Sequence, residues 1–205
     1  MKIAIIGAGK VGGALASGWA RAGHSVILGV RNSGDREVQA LVAANQNLSA
    51  NTVTAAAQEA EVILVSVPVS ALTEVARNLG EVKNKIIIDA TNAVFQKPAP
   101  YAHGVEAFKA LTQCQDVVKC FNSTGFENMA NPKYGDTGID MFVAGNSAKG
   151  KQVAAQLARD LGFAECHDFG GDDKIQLLEN FALAWINLAI MQGRGRNIAF
   201  KLVTR

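Results

Sequence analysis

Short apolar runs alternate with helical stretches along this chain. Lys2–Ile6, Ser25–Leu28, Val62–Val67, Lys85–Asp89, Val117–Phe121, Met141–Ala144 and Cys166–Phe169 read as strands. Between them lie helical patterns. Val11–Ala22 carries Val11, Leu15 and Trp19 on one stripe, and Asp35–Ala44 turns Val38, Leu41 and Val42 inward. Ser70–Asn78 follows, and Ala148–Leu161 ends at Gly162 as a C-cap. Pro98 and Pro100 put a loop into Phe95–Ala110, with a short helix after it. β-branched runs alternating with helices predict a mostly parallel sheet covered on both faces. From Asp172 the pattern changes. Ile175, Leu178, Phe181, Trp185, Leu188 and Met191 recur at helical spacing, behind Asp172 or Asp173 as a cap. That helix is apolar on more than one face, so it is either buried in its own subunit or meets a second copy, and a homodimer is favoured. The expected fold is α/β, a doubly wound sheet over residues 1–171 with a helical extension over 172–205 that joins subunits and covers a substrate site.

The first strand runs into Gly7-Ala8-Gly9-Lys10-Val11-Gly12. Gly-x-Gly-x-x-Gly between a strand and a helix is the fingerprint of a Rossmann dinucleotide site. Gly7 permits the tight turn, Gly9 lets the backbone approach a pyrophosphate, and Gly12 lets the helix pack closely on the sheet. The free amides and dipole of the helix start then hold the anion. At the end of the second strand an NAD site places an acid on the ribose 2′-hydroxyl. Here the chain reads Leu28-Gly29-Val30-Arg31-Asn32-Ser33, with Arg36 close behind. A guanidinium suits a 2′-phosphate, and Asn32 and Ser33 add neutral donors, so NADP(H) is expected. Asp35 remains arguable as a displaced ribose acid.

Composition narrows the class further. The 205 residues are 49% hydrophobic and 19% charged, enough for a sizeable core, and the net charge of +2 with no basic run gives no reason to expect nucleic acid. The apolar run Phe181–Met191 is too short to span a bilayer. Met1 and Lys2 lead directly into a strand, so no signal peptide is read, and a cytoplasmic location is expected. Cys114, Cys120 and Cys166 are odd in number and widely spaced, which suits thiols rather than disulfides or zinc. No metal-ligand grouping is read.

Ligands of such sheets lie beyond the carboxyl ends of the strands. Those ends read Ser66-Val67-Pro68, Asp89-Ala90-Thr91-Asn92 and Asn122-Ser123-Thr124-Gly125. Ser66, Val67 and Pro68 are placed near the nicotinamide ribose; Thr91, Asn92 and Asn122 are candidates for the carboxamide or the substrate. Acid–base groups are few. His24 falls in a turn at the far end of the sheet, His167 in the late strand, and His103 in a loop that approaches the rim. His103 and Asn122 are therefore the catalytic candidates. Lys119 lies inside a strand, with a packed stem and a reaching ammonium expected. No Ser-His-Asp grouping and no carboxylate pair is read. Hydride exchange between a nicotinamide and a flavin-like ring needs positioning more than a protein acid or base.

On Ile5-Ile6-Gly7-Ala8-Gly9-Lys10-Val11-Gly12, Gly29-Val30-Arg31 and Ser66-Val67-Pro68, the chain resembles the NADP oxidoreductases dependent on the deazaflavin coenzyme F-420 (8-hydroxy-5-deazaflavin:NADPH oxidoreductases). It is also similar to the cytoplasmic oxidoreductase domain of six-transmembrane metalloreductases. Leu177-Leu178-Glu179-Asn180 through Ile190, and Gly193 to Leu202, look like the family's closing helices. Phe121 to Met129 looks like a bacterial branch. The resemblance implies NADP at Gly9, Lys10, Val11, Arg31, Asn32 and Arg36. It implies a deazaflavin or flavin stacked on the nicotinamide between the rim and the C-terminal helices, and a homodimer joined through those helices. The segment Asn122–Asn131, Arg194 and Arg196 depart from the archaeal pattern, which leaves an ordinary flavin, an iron chelate or another small-molecule acceptor open. Two other readings stand beside this one: an imine or pyrroline carboxylate reductase, and an NADP-binding sensor without turnover.

Overall fold

The computed structural model describes residues 1–205. The first half alternates strictly. The strands are β1 (Lys2–Ile6), β2 (Ser25–Gly29), β3 (Leu48–Asn51), β4 (Val62–Val65), β5 (Ile86–Asp89) and β6 (Val117–Cys120). The helices between them are α1 (Lys10–Arg21), α2 (Arg36–Ala43), α3 (Val53–Glu59), α4 (Leu72–Asn78) and α5 (Gly104–Thr112). These six strands are parallel in the order β3-β2-β1-β4-β5-β6. The order reverses between β1 and β4, the point at which sheets of this kind open a crevice beyond their strand ends.

Side chains alternate across the sheet with a period of two. Ile3, Ile5, Leu64, Ile88 and Val118 face α1 and its neighbour α7 (Ala148–Leu161); Ala4, Ile6, Ile63, Val65, Ile87 and Val117 face the other way. The second face is covered by α3, α4 and α5, and by the start of α8 (Ile175–Ile186), whose Ile175 and Leu178 are fully buried there.

The sequence pattern misses β3 and α3. Leu48-Ser49-Ala50-Asn51 is an edge strand with one buried side chain, so it shows no alternation. α3 is alanine-rich and starts at Thr52, whose hydroxyl accepts from Ala55 N; the cap is the readable signal.

After β6 the chain departs from the parallel scheme. The short α6 (Phe126–Ala130) and a hairpin of β7 (Lys133–Tyr134) and β8 (Thr137–Gly138) replace a long crossover helix. β9 (Met141–Ala144) therefore enters from the rim and pairs antiparallel with β6, while β10 (Cys166–Asp168) lies parallel to β9 beyond α7. This reversal delivers the last helix to the rim. α8 starts at the far end, where Lys109 near the end of α5 pairs with Asp172, and it rises until Trp185 meets Gly125 just beyond β6.

The helix ends in a π turn, Asn187–Met191. The expected helical stretch from Gly193 to Leu202 does not form. Gly193 and Gly195 take φ of +67° and +80°, and the remaining chain runs as an irregular strap. Side chains stitch the strap down. Trp185 Nε1 and Asn128 Nδ2 donate to Ile198 O, Phe200 stacks on Phe181, and buried Asp140 receives Leu202 N, Lys201 and His167.

Burial pushes the Asp140 carboxyl up, but the Leu202 amide, His167 and Lys201 outweigh it and hold the group below the ordinary 3.8 of an aspartate. A depressed folded value means that this anchoring is complete above the unfolded value and is lost as pH falls through the folded one. Trp185 emission, read from neutral pH down to about pH 3, should report strap release before the sheet unfolds. A single transition shared with the far-ultraviolet signal would contradict it.

Candidate active site

The phosphate loop has the geometry its glycines predict. Gly7 has a φ of +101°, and a Cβ there would lie 2.4 Å from Ser66 O. A Cβ on Gly12 would lie 1.9 Å from Gly7 O, so the first turn of α1 sits directly on the strand exit. Gly9 differs: a Cβ there would meet nothing within 4 Å. The protein does not need that glycine for its own packing, and the space is what a pyrophosphate approaching the backbone requires. Gly9 also caps α1 without a side-chain acceptor, which leaves the first-turn amides of Lys10, Val11 and Gly12 free for an anion. These features fit a dinucleotide. Beside the loop, a groove of about 430 Å³ runs along α1, with Ala8, Gly9 and Lys10 at one end and Arg21 at the other.

The turn after β2 presents Arg31, Asn32, Ser33 and Arg36, all exposed, and neither arginine forms an ion pair. Asn32 Oδ1 accepts from Gly34 N and shapes the turn. Asp35 is the N-cap of α2 and accepts from Glu37 N, which gives it a structural task instead of the ribose role. Ser66 and Val67 wall the phosphate loop opposite Gly7, and Pro68 starts the turn into α4.

The rim candidates converge at the ends of β5 and β6. Asn122 Nδ2 donates to Asn92 Oδ1, and Asn92 Nδ2 donates to Asn122 O, each at 2.9 Å. Asn122 Oδ1 stays buried without a partner, an open acceptor at the rim. Phe121, just before it, has a φ of +58° while fully buried against Trp19. A bulky residue in the left-handed region is costly, and such strain persists where the surroundings enforce it, often at sites. Thr91 is held by Asp89, whose Oδ1 accepts from both Thr91 N and Thr91 Oγ1 at 2.9 and 2.7 Å.

His103 is not free for acid–base work through both nitrogens. It caps α5, with Nδ1 accepting from Glu106 N at 3.2 Å. Burial, and then the Lys119 ammonium, push its imidazole below the ordinary value, so it is neutral at pH 7. His24 is structural, as its place in the turn predicts, bonded to Asp160 and to the amine of Met1. His167 is paired with Asp140.

The structure corrects the reading of Lys119. Its ammonium does not reach outward; the side chain is fully buried. It donates to Thr91 O at 2.7 Å and lies 2.9 Å from Asp89 Oδ2 and 2.8 Å from Glu179 Oε1. Burial pushes the lysine down, but the two carboxylates outweigh it and hold it above its ordinary value. Asp89 and Glu179 thus form a carboxylate pair about one cation, which the sequence reading failed to find. The signal was present. Ile86-Ile87-Ile88-Asp89 and Val117-Val118-Lys119-Cys120 each carry one charge inside an apolar run, and in the sheet Asp89 and Lys119 are direct neighbours. Glu179 sits on the buried stripe of α8 between Leu178 and Ala182. A lone charge inside a buried run requires a partner.

A second missed cluster closes the rim. Arg196 of the strap pairs with Glu127 at 2.5 Å and lies over the rings of Phe126 and Trp185; Lys10 reaches Phe126 from the phosphate loop. Burial raises the Glu127 carboxyl, but Arg196 outweighs it and holds it below its ordinary value. Arg194 is exposed and makes no ion pair.

Residues 2–93 match the family described as NADP oxidoreductase, coenzyme F420-dependent. No curated protein matches the sequence. Among solved structures, the chain is similar to a candidate F420-dependent NADP reductase from Arthrobacter sp. FB24, at 24% identity over 100% of both chains with a TM-score of 0.85. It is similar to a hypothetical protein, SMa0349, from Sinorhizobium meliloti, at 24% identity over 100% of this chain and 96% of that one, with a TM-score of 0.73. A reductive aminase from Aspergillus terreus, solved in complex with NADPH4, cyclohexanone and allyl amine, shares 16% identity over 94% of this chain and 62% of its own, with a TM-score of 0.68. At these identities the structural likenesses establish the fold. No helix is long and apolar enough to cross a membrane.

Proposed function

From the family match over residues 2–93, we infer an NADP(H)-dependent oxidoreductase that exchanges hydride between the nicotinamide and a flat acceptor ring of the deazaflavin or flavin type. One observation carries the choice of acceptor. The rim offers mostly amides and hydroxyls and little acid–base chemistry: His103 has Nδ1 committed as a cap and Lys119 is sealed in the core. Reduction of a carbonyl or imine asks for a proton donor, whereas ring-to-ring hydride exchange asks for alignment. The nicotinamide, when bound, supplies the hydride. The protein's part is to hold the pyrophosphate at Gly9, Lys10 and Val11 and the 2′-phosphate at Arg31, Asn32 and Arg36. Ser66, Val67 and Pro68 line the ribose side; Thr91, Asn92 and the open acceptor of Asn122 orient the carboxamide.

Titration calorimetry with NADPH and NADH, followed by flavin and deazaflavin on the NADPH-loaded protein, tests the reading. Selective NADPH binding and a second site for a flavin-type ring are expected. NADPH binding with turnover of an imine instead would favour the alternative reductase, and binding without any turnover would favour a sensor. Arg31→Ala should shrink the preference for NADPH over NADH at least about tenfold, in line with the ~1.5–3 kcal/mol of a hydrogen bond to a charged group. An undiminished preference would remove Arg31 from the site. Leu177, Ile190 and Met191 stay exposed on α8 and its π turn, which supports pairing of two copies through that helix. Light scattering should give twice the mass of one chain.

A further inference from the structure

The three ionisable side chains sealed between α8 and the ends of β5 and β6 do not balance. Lys119 donates to Thr91 O, and its ammonium lies 2.9 Å from Asp89 Oδ2 and 2.8 Å from Glu179 Oε1. Its single positive charge faces two carboxyl groups. Both carboxyl oxygens of Glu179 and Oδ2 of Asp89 are buried without a hydrogen-bond partner, so only the Lys119 charge faces them. The other titratable group that feels all three is His103, and burial together with Lys119 keeps it neutral, so it brings no second cation. Gly104 closes the remaining side: a Cβ there would lie 2.3 Å from Asp89 Oδ2. All three side chains are fully buried.

A structural pair would need only Asp89 and Lys119. The added carboxyl comes from α8, at the rim, where the strand ends face the cofactor crevice. A nicotinamide ring is neutral when reduced and cationic when oxidised. A surplus negative charge fixed in a low-dielectric core acts on that difference and is poorly screened. We propose that Glu179, as the unmatched carboxylate of the Lys119–Asp89–Glu179 cluster, is an electrostatic element of the nicotinamide site that favours bound NADP⁺ over NADPH and so favours hydride donation. The inference rests on the NADP(H) reading above, and names which direction of transfer the core supports.

The test is an equilibrium one. The dissociation constants of NADP⁺ and NADPH are measured by calorimetry for the wild-type protein, Glu179→Gln and Glu179→Asp. Glu179→Gln keeps an acceptor for Lys119 and leaves the cluster neutral, so thermal stability should hold or rise. Its NADP⁺ affinity should fall about tenfold relative to its NADPH affinity, the size of effect that a nearby charge exerts on an ionisation. Glu179→Asp should retain the wild-type ratio. Should Glu179→Gln fail to fold, Glu179→Met removes the same charge with a side chain of similar length, and the wild-type ratio supplies a further check, with NADP⁺ expected to bind no more weakly than NADPH. Equal losses for both nucleotides, or an unchanged ratio, would overturn the proposal. Absence of any NADP(H) binding by the wild-type protein would instead defeat the functional reading on which it stands.

Discussion

Lys119→Met is expected to destabilise the fold by about 3–5 kcal/mol, the usual cost of removing one partner from a buried ion pair. The substitution fits the volume but leaves Asp89 and Glu179 facing each other without a cation, and strips Thr91 O of its donor. Urea unfolding, read by the intrinsic fluorescence of Trp19 and Trp185, measures the loss. Adding Glu179→Gln to Lys119→Met should restore part of it, because one of the stranded charges disappears. Were the single variant to lose less than about 1 kcal/mol, the interior could not hold the charges assigned to it. This expectation concerns the fold alone and holds whatever the protein binds.

The second large effect separates two glycines that look alike in sequence. Gly12→Ala would bring a methyl group 1.9 Å from Gly7 O and 3.2 Å from Ile5 Cγ2, so α1 must lift from the sheet. Both stability and NADPH affinity should fall, the affinity at least about a hundredfold, or roughly 2.7 kcal/mol. Gly9→Ala meets no protein atom within 4 Å. It should leave the melting temperature unchanged while weakening NADPH binding, because the new methyl would fill the space proposed for the pyrophosphate. Normal nucleotide affinity in Gly9→Ala would mean that the phosphate lies elsewhere.

The contrast shows what a sequence can and cannot carry. The phosphate loop is local: strand, three glycines and helix follow one another within a few residues, so spacing alone reports the geometry. The same holds for the apolar strands of the parallel half, whose burial on both faces leaves continuous hydrophobic runs. The 2′-phosphate candidates are legible for the same reason, since Arg31 to Arg36 form a single turn. Asp89, Lys119 and Glu179 are spread over ninety-odd positions and meet only because α8 returns to the sheet. Each was visible as a charge in an apolar run, but its partners depend on topology. Arg196 is harder still: nothing near it in sequence indicates Glu127, Phe126 or Trp185. The reversal of β9 was also hidden, because four buried residues read identically in either direction.

That reversal sets where the two chain ends lie. Met1 rests against His24 at the foot of the sheet, while the strap leading to Arg205 crosses the start of β9 at the rim. A surface or fusion partner tethered through Met1 would leave the rim facing solvent. The same tether through Arg205 would turn the rim toward the support. For immobilisation and for labels, Met1 and Arg205 are therefore not equivalent handles.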